Sequence, residues 1–171
     1  PLKHMDPIGI VMLLFLGFGW GRPVEIDSRN FNRNISVRKA EAIVSIAGPL
    51  ANFILAIVFS AIYGVLIKFN ALTSMDTRTA LTIITILQSI ISINIGLGVF
   101  NLIPLPPLDG SKVLSYFLPY NARNWFENNQ QIFYIIFLII WITGIAGTII
   151  SPAITSIYYG LMKLVSLVFG L

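Results

Sequence analysis

Long apolar segments separated by short polar turns constrain the fold of this chain more than any other feature of its sequence. Residues 42–67, 79–103 and 132–150 each approach or exceed the length of about 20 residues that an α-helix needs to cross a bilayer. Only 11% of the residues are charged, whereas a soluble domain carries about 25%. The sequence therefore predicts an all-α polytopic membrane protein, in which residues 1–171 form a single membrane-embedded domain with three to four transmembrane helices.

Two further apolar segments lie near the ends of the chain. Residues 8–20 are too few to cross a bilayer as a helix, which indicates a short re-entrant or buried segment. Residues 153–171 follow Pro152, and polar or small side chains recur in them at helical spacing: Thr155, Tyr159, Lys163, Ser166 and Gly170. This stripe fits both a fourth transmembrane helix and a helix in the membrane interface, and the sequence leaves both open.

The charged residues occupy the connections between the apolar segments and predict the topology. The formal net charge is +4, but scattered Lys and Arg in a membrane chain set its orientation and do not indicate nucleic acid. The connection over residues 22–41 is the most basic, so we expect it to be cytoplasmic. Residues 42–67 then run outward and residues 79–103 return, so the start of the first and the end of the second lie on the cytoplasmic side. The absence of cysteine excludes disulfides and thiolate metal ligands.

Asparagines and glycines interrupt the apolar segments at helical spacing. Gly48 and Asn52 are four residues apart and therefore share one face of their helix. Asn94 and Asn101 are two helical turns apart and also share a face. Packing is one interpretation of both pairs, because Gly lets helices approach and Asn makes interhelical hydrogen bonds. A role in a site within the membrane is the other.

The segment NLIPLPPLDG, residues 101–110, ends the second long apolar segment with three prolines and a carboxylate. The prolines exclude a regular helix, and we expect them to hold an extended backbone that orients Asp109, followed by a short helix that ends near residue 118. A carboxylate near the membrane has to be paired, hydrated or bound to a metal. Alternatively, Asp109 belongs to a turn and is the N-cap of the short helix.

These motifs resemble those of a known family. NLIPLPPLDG matches the N-x-x-P-x-P-x-L-D-G motif of the site-2 proteases, which are intramembrane zinc metalloproteases. AGPLAN, residues 47–52, matches the G-P-x-x-N element of the same family. PLKHMDPIG and GWGRPVEI are similar to the connecting region of the small bacterial members without a PDZ domain. The resemblance covers essentially the whole chain, with the elements in the family's order.

The resemblance implies roles for individual residues. Asp109 would be the third protein ligand of a catalytic Zn²⁺ ion, and Asn52 would lie beside the metal and steady the substrate carbonyl or oxyanion. The remaining motif residues would support this arrangement: Gly48, Asn101, Pro104, Pro106 and Gly110. The implied reaction is hydrolysis of peptide bonds in the transmembrane helices of substrate proteins, as in regulated intramembrane proteolysis. The implied location is a bacterial cell membrane, with the active site of this multi-pass protein near the cytoplasmic side.

The chain departs from the family in one respect. In the family, the other two zinc ligands are the histidines of an H-E-x-x-H motif whose glutamate is the general base, and this sequence contains no such motif. Its single histidine, His4, lies where the family has the histidine of an H-x-D-P connector, and we interpret it as structural. We expect the H-E-x-x-H helix to lie upstream of Pro1. The 171 residues alone should then bind zinc poorly and be inactive.

The substrate helix would have to unwind before hydrolysis, and an extended stretch of the protease could pair with it by strand addition. GWGRPVEI, which contains Val24, is the candidate for this strand or for a short strand pair, and an ordinary loop is the alternative. The expected partners are a transmembrane substrate protein and the lipid bilayer, with a homo-oligomer left open. Two other functions remain: a non-catalytic regulator or degenerate family member, and a transporter whose broken helices line an ion path.

Overall fold

The computed structural model describes residues 5–16, 21, 31 and 34–171 of the chain. These residues form seven α-helices, which confirms the all-α class: α1 Pro7–Leu16, α2 Val37–Lys68, α3 Thr77–Asn101, α4 Asp109–Phe117, α5 Tyr120–Asn128, α6 Gln130–Ile142 and α7 Ile145–Phe169. By length and composition, three of the described helices, α2, α3 and α7, are able to cross a membrane. The fold class is therefore that of a polytopic membrane protein.

The chain divides into two compact units, Pro1–Ala40 and Glu41–Leu171. In the first unit, Met5 and Gly21 form an isolated antiparallel β-bridge. Val24 lies outside the described residues, as does most of the GWGRPVEI segment. The strand expected there, and its pairing with substrate, therefore stay predictions.

Helix α1 occupies the first part of the apolar segment that the sequence predicts to be re-entrant or buried. It contains ten residues and is therefore about 15 Å long, which is half of the hydrocarbon thickness of about 30 Å. The side chains of Leu13 and Leu14 are exposed. Both alternatives for this segment, a re-entrant and a buried position, therefore stay predictions.

The core of the second unit forms where α2, α3 and α7 meet. Ala56, Ile91 and Ile95 are almost completely buried there. Partly buried side chains from the same three helices surround them: Phe59, Tyr63, Val99, Ile154, Tyr158, Leu161 and Met162. Apolar residues recur at every fourth position on the central face of α3, which is close to the helical period and gives the helix one packing face.

Helix α7 is parallel to α2 and antiparallel to α3. Gly64, near the end of α2, faces the end of α7, since a Cβ atom placed on Gly64 would lie 2.8 Å from Val165 Cγ1. Gly96, in the second half of α3, faces the first half of α7, and a Cβ atom there would lie 3.6 Å from Ile154 Cδ1. Both glycines therefore allow the helix axes to approach closely.

The apolar segment 132–150, which the sequence predicts as one transmembrane helix, is divided between α6 and α7. Helix α6 ends at Ile142 because Gly144 adopts a left-handed conformation with φ of 74°. The hydroxyl of Thr143 donates to the Ile139 carbonyl at 2.8 Å and satisfies one of the last acceptors of α6. Helix α6 is consequently shorter than the length needed to cross a bilayer.

Pro152 lies inside α7 and does not separate two segments, contrary to the sequence-based expectation. A proline within a helix removes one backbone donor, here the partner of the Thr148 carbonyl, and α7 continues across this single gap. Residues 153–171 therefore form most of a helix whose length and composition suit a membrane crossing. This favours the transmembrane alternative for the tail over the interfacial one.

Two short amphipathic helices, α4 and α5, connect α3 to α6. Ser115 of α4 donates to Glu127 Oε1 of α5 at 2.7 Å, which ties the two helices together. Helix α4 matches the short helix that the sequence predicts near residues 110–118. Helix α5 occupies a polar stretch for which the sequence predicts no helix, and its buried face consists of Arg123 and Phe126 at helical spacing.

Candidate active site

Helix α2 contributes the face that contains Gly48 and Asn52. Pro49, between them, is buried inside the helix. Because proline has no N–H, the carbonyl of Ser45 loses its usual intrahelical donor at this point. The side chain of Asn52 is half-buried. Helix α2 therefore combines a small residue, a half-buried amide and a freed backbone acceptor within two turns.

The proline-rich loop after α3 is non-helical, as the sequence predicts, but it is not extended. The Leu105 N–H donates to the Ile103 carbonyl at 2.8 Å, and the Leu108 N–H donates to the Leu105 carbonyl at 2.9 Å. Successive turns therefore fold the loop back on itself. The expected extended backbone is wrong because these local bonds satisfy groups that an extended chain would leave unpaired at membrane depth.

Gly110 shows why the loop ends on a glycine. It is buried, and a Cβ atom at this position would collide with the backbone carbonyls of Leu102 and Ile103 at the end of α3. Backbone cannot move aside as a side chain can, so only glycine allows the start of α4 to approach α3 this closely. Asn101, the last residue of α3, directly precedes Leu102 in the sequence, and its side chain is half-buried.

Asp109 is the first residue of α4, and its carboxylate does not cap the helix. The N-cap is Leu108, which makes no side-chain capping bond. The Leu108 carbonyl instead accepts the Ser111 hydroxyl at 2.6 Å. The N-cap role proposed for Asp109 is therefore wrong, and the described residues donate no hydrogen bond to its carboxylate. Burial raises the pKa of the Asp109 carboxyl, and the positive charge of Lys112 opposes this shift.

The structure brings Asp109 against the Gly48 face of α2. A Cβ atom on Gly48 would lie 3.6 Å from Asp109 Oδ2, which is ordinary van der Waals contact. Asn52 follows Gly48 by one turn on the same face, about 6 Å further along the axis. The start of the first long helix and the segment after the second thus meet at the same end of the second unit, as the predicted topology requires.

The other asparagine pair does not form interhelical hydrogen bonds in the described part of the chain. Asn94 Nδ2 donates to the Ile90 carbonyl of its own helix at 2.8 Å. This bond is the local back-bonding that polar side chains make within helices. The interhelical bond expected from packing is therefore wrong for Asn94. The pattern also misses Ser45, whose buried hydroxyl has no hydrogen-bond partner in the described part of the chain. Its only sequence signal is its position three residues before Gly48.

The described residues fit one ligand of a zinc site and do not complete it. No group of three or more His, Cys, Asp and Glu side chains occurs among them, and His4 lies outside the described range. Structural and catalytic zinc sites take at least three protein ligands. Asp109 has the chemistry of one such ligand, because it is a half-buried carboxylate whose oxygens are not used by the fold.

Comparisons with known proteins identify the family of the chain. The model of "Peptidase family M50" matches residues 10–144. A protein of Bacillus subtilis (strain 168), named "Putative zinc metalloprotease YwhC", is 32% identical over 175 residues, which cover 99% of this chain and 75% of the relative. No solved structure matches the chain significantly. With the family model covering most of its length, the chain belongs to peptidase family M50, the site-2 protease family.

Proposed function

We propose that this chain is part of a zinc-dependent intramembrane protease that hydrolyses peptide bonds in the transmembrane helices of substrate proteins. The observation that carries the proposal is the contact between Asp109 and the Gly48 face of α2. Two motifs from distant parts of the sequence meet there, and a carboxylate, an amide and a small residue lie together. Membership of peptidase family M50 supports the reaction class.

Asp109 would supply one carboxylate ligand to the metal, and the remaining protein ligands would come from outside these 171 residues. Zinc, when bound, supplies Lewis acidity and lowers the pKa of a coordinated water towards 7. The half-buried amide of Asn52 would donate a hydrogen bond to the carbonyl oxygen of the peptide bond to be cut. Gly48 would leave room for the substrate backbone between Asn52 and Asp109.

Substrates would be transmembrane helices that unwind locally, as in regulated intramembrane proteolysis. Unwinding exposes backbone groups, and an edge strand around Val24 would pair with them. We place the protein in the cell membrane as a multi-pass protein, with Asp109 near the cytoplasmic side. The orientation rests on the basic residues between positions 22 and 41.

Removal of the Asp109 ligand tests the proposal. The full-length protein, reconstituted in liposomes with a model single-span substrate, should lose cleavage and most of its bound zinc on Asp109→Asn substitution. Glu127→Gln is the matched control, because it neutralises an exposed carboxylate on α5 and keeps the side-chain oxygen that accepts the Ser115 hydroxyl. Cleavage by Asp109→Asn at the rate of the unsubstituted protein would contradict the proposed role.

A non-catalytic regulator is the second candidate, and it is favoured by the single histidine of the chain and by the absence of a metal-binding group among the described residues. Zinc content separates the two functions. The protease predicts about one zinc per full-length molecule, whereas the isolated 171-residue chain should bind little. A full-length protein without zinc would favour the regulator, and stoichiometric zinc in the 171-residue chain would contradict the shared ligand set.

A further inference from the structure

Helix α3 carries a second polar face that points away from the candidate active site. Gly98 lies on the face towards α2, where it meets Phe53. Other polar or small residues recur every three or four positions on the opposite side: Arg78, Thr82, Thr85, Ser89, Ser92 and Gly96. At 3.6 residues per turn these positions form one continuous stripe. Only the first of the two faces is explained by the proposed protease function.

Helix α7 carries a comparable stripe beside the first. Its polar members also recur at helical spacing: Thr148, Ser151, Thr155, Tyr159 and Lys163. Between the two stripes lies a cavity of about 350 Å³ whose polar lining includes Thr85, Gln88, Ser89, Ser92, Thr155 and Tyr159. The polar residues that the sequence shows in the tail therefore face a groove shared with α3.

Two further depressions adjoin this cavity, one on each helix. A depression of about 310 Å³ on α3 shares Thr85 with the cavity and reaches Arg78. Another of about 750 Å³ on α7 shares Thr155 with it and reaches Thr148. We call these three adjoining depressions the α3–α7 furrow. From Arg78 to Ser92 the furrow follows α3 for about 21 Å, which is most of the hydrocarbon thickness of about 30 Å.

Lipid is a poor neighbour for this furrow. Gln88, Ser89 and Thr155 are exposed, and their side chains make no hydrogen bond within the described part of the chain. Acyl chains offer no hydrogen-bonding groups, so polar side chains at the middle of a bilayer are unfavourable unless protein or water meets them. The furrow therefore suits an occupant that presents donors and acceptors along its length.

The charges at one end of the furrow narrow the choice of occupant. Because α3 and α7 are antiparallel, Arg78 at the start of α3 and Lys163 in the last two turns of α7 lie in the same half of this helix pair. Neither forms an ion pair with a described residue. Asp76, at that end, is committed to capping α3, where it accepts the Thr79 N–H at 3.0 Å. A second copy of this chain is a poor occupant. In a dimer with a two-fold axis along the membrane normal, its Arg78 and Lys163 would lie beside those of the first copy, and like charges repel. An occupant with a carboxylate at this level fits better.

We propose that the α3–α7 furrow binds one transmembrane helix of a separate partner protein. That helix carries hydrogen-bonding side chains at its middle and a carboxylate at the end that meets Arg78 and Lys163. Helix α3 stands between the furrow and Asp109, so a helix seated there is out of reach of the candidate active site. The partner is therefore an uncleaved binding protein, and its binding does not depend on the proposed protease function.

A designed peptide tests the furrow directly. The chain has no cysteine, so Ser89→Cys in the full-length protein accepts a single fluorophore inside the furrow. The probe is a synthetic leucine-based transmembrane peptide with two serines and one glutamine at its middle and one glutamate at one end. The comparison peptide has leucine at all four positions. Energy transfer in liposomes is measured between this fluorophore and an acceptor on the peptide. The polar peptide should associate about tenfold more tightly than the comparison peptide, which is the gain expected from two to three interhelical hydrogen bonds.

Two variants and one control locate the binding. Replacing both Arg78 and Lys163 with glutamine should remove the preference for a peptide that carries the glutamate. Replacing Gln88 with leucine and Ser92 with alanine should remove the preference for a peptide that carries the central polar residues. The same fluorophore at Ile139→Cys, on the exposed face of α6, should show no preference. Equal association of both peptides would overturn the proposal. So would disulfide-linked dimers through Ser89→Cys, or a crosslink from that cysteine to another segment of the same polypeptide.

Discussion

Asp109 and Gly48 are in contact although they belong to different helices, with 3.6 Å between Asp109 Oδ2 and the position that a Cβ atom on Gly48 would take. Each residue alone has an ordinary explanation, helix packing for the glycine and a turn for the aspartate. Their contact brings two motifs from distant parts of the sequence together, as the proposed site requires. A side chain larger than a methyl group at position 48 would occupy the space beside the carboxylate.

Side chains of increasing size at position 48 should first contact the Asp109 carboxylate and then displace it. Gly48→Ala adds a Cβ at an ordinary contact distance, so cleavage and zinc content of the full-length protein should remain within about threefold. Gly48→Leu places further carbons where the carboxylate lies, and a displacement of about 1 Å costs about a hundredfold in rate. Gly147→Leu is the control, since nothing lies within 4 Å of its Cβ position. Equal activity of Gly48→Leu and the unsubstituted protein would contradict the proposed site.

Gly110 should tolerate substitution less well than other glycines, because its missing side chain faces backbone. Gly110→Ala forces a Cβ atom against the carbonyls of Leu102 and Ile103, and the strain should lower the free energy of unfolding in detergent by about 1–3 kcal/mol. Gly160→Ala in α7, where the Cβ position is open, should have a neutral or stabilising effect of up to about 1 kcal/mol. An unchanged unfolding midpoint for Gly110→Ala would show that the loop can relax.

The sequence predicts the chemistry of the site better than its shape. The spacing of Gly48 and Asn52 and the order of the motifs are local properties, and both survive in the structure. The turns of the proline loop cannot be predicted from the local sequence, because prolines fit both extended backbone and turns. Which of the two forms depends on the close approach of Gly110 to the end of α3. The Ser45 carbonyl likewise loses its donor because Pro49 lies within a continuous helix. A proline in the sequence does not by itself predict that the helix continues through it.

Helix ends follow a similar rule. The apolar run 132–150 has the composition of one transmembrane helix. Thr143 and Thr148 are its only hydroxyl-bearing aliphatic residues, and two isolated threonines do not predict a break. The break comes from the left-handed conformation of Gly144, and many glycines in membrane helices do not adopt it. Hydropathy records composition and is insensitive to this single backbone choice, which is why the sequence misplaces the boundary between α6 and α7.

The metal-free protein should lose stability as pH rises through the titration of Asp109. Burial raises the pKa of this carboxyl above its ordinary value of 3.8, so the folded state binds the proton more tightly than the unfolded state. Stability is then greatest below pH 3.8 and falls as pH rises towards the folded pKa. Asp109→Asn should flatten this part of the profile when the chelator-treated protein is unfolded at several pH values. An unaltered slope in Asp109→Asn would assign the pH dependence to another group.

The contact between Gly98 and Phe53 should set the distance between α2 and α3. A Cβ atom on Gly98 would lie 2.8 Å from Phe53 Cζ, so Gly98→Ala should destabilise the protein by about 1–3 kcal/mol. Phe53→Leu removes the ring edge that the methyl group meets, and the double variant should recover at least about 1 kcal/mol relative to the sum of the single effects. The measurement is a double-mutant cycle of unfolding free energies, with cleavage as a second readout because α2 also carries Asn52. Additive effects would show that the two helices adjust their separation without strain, and that the ring does not limit how closely they pack.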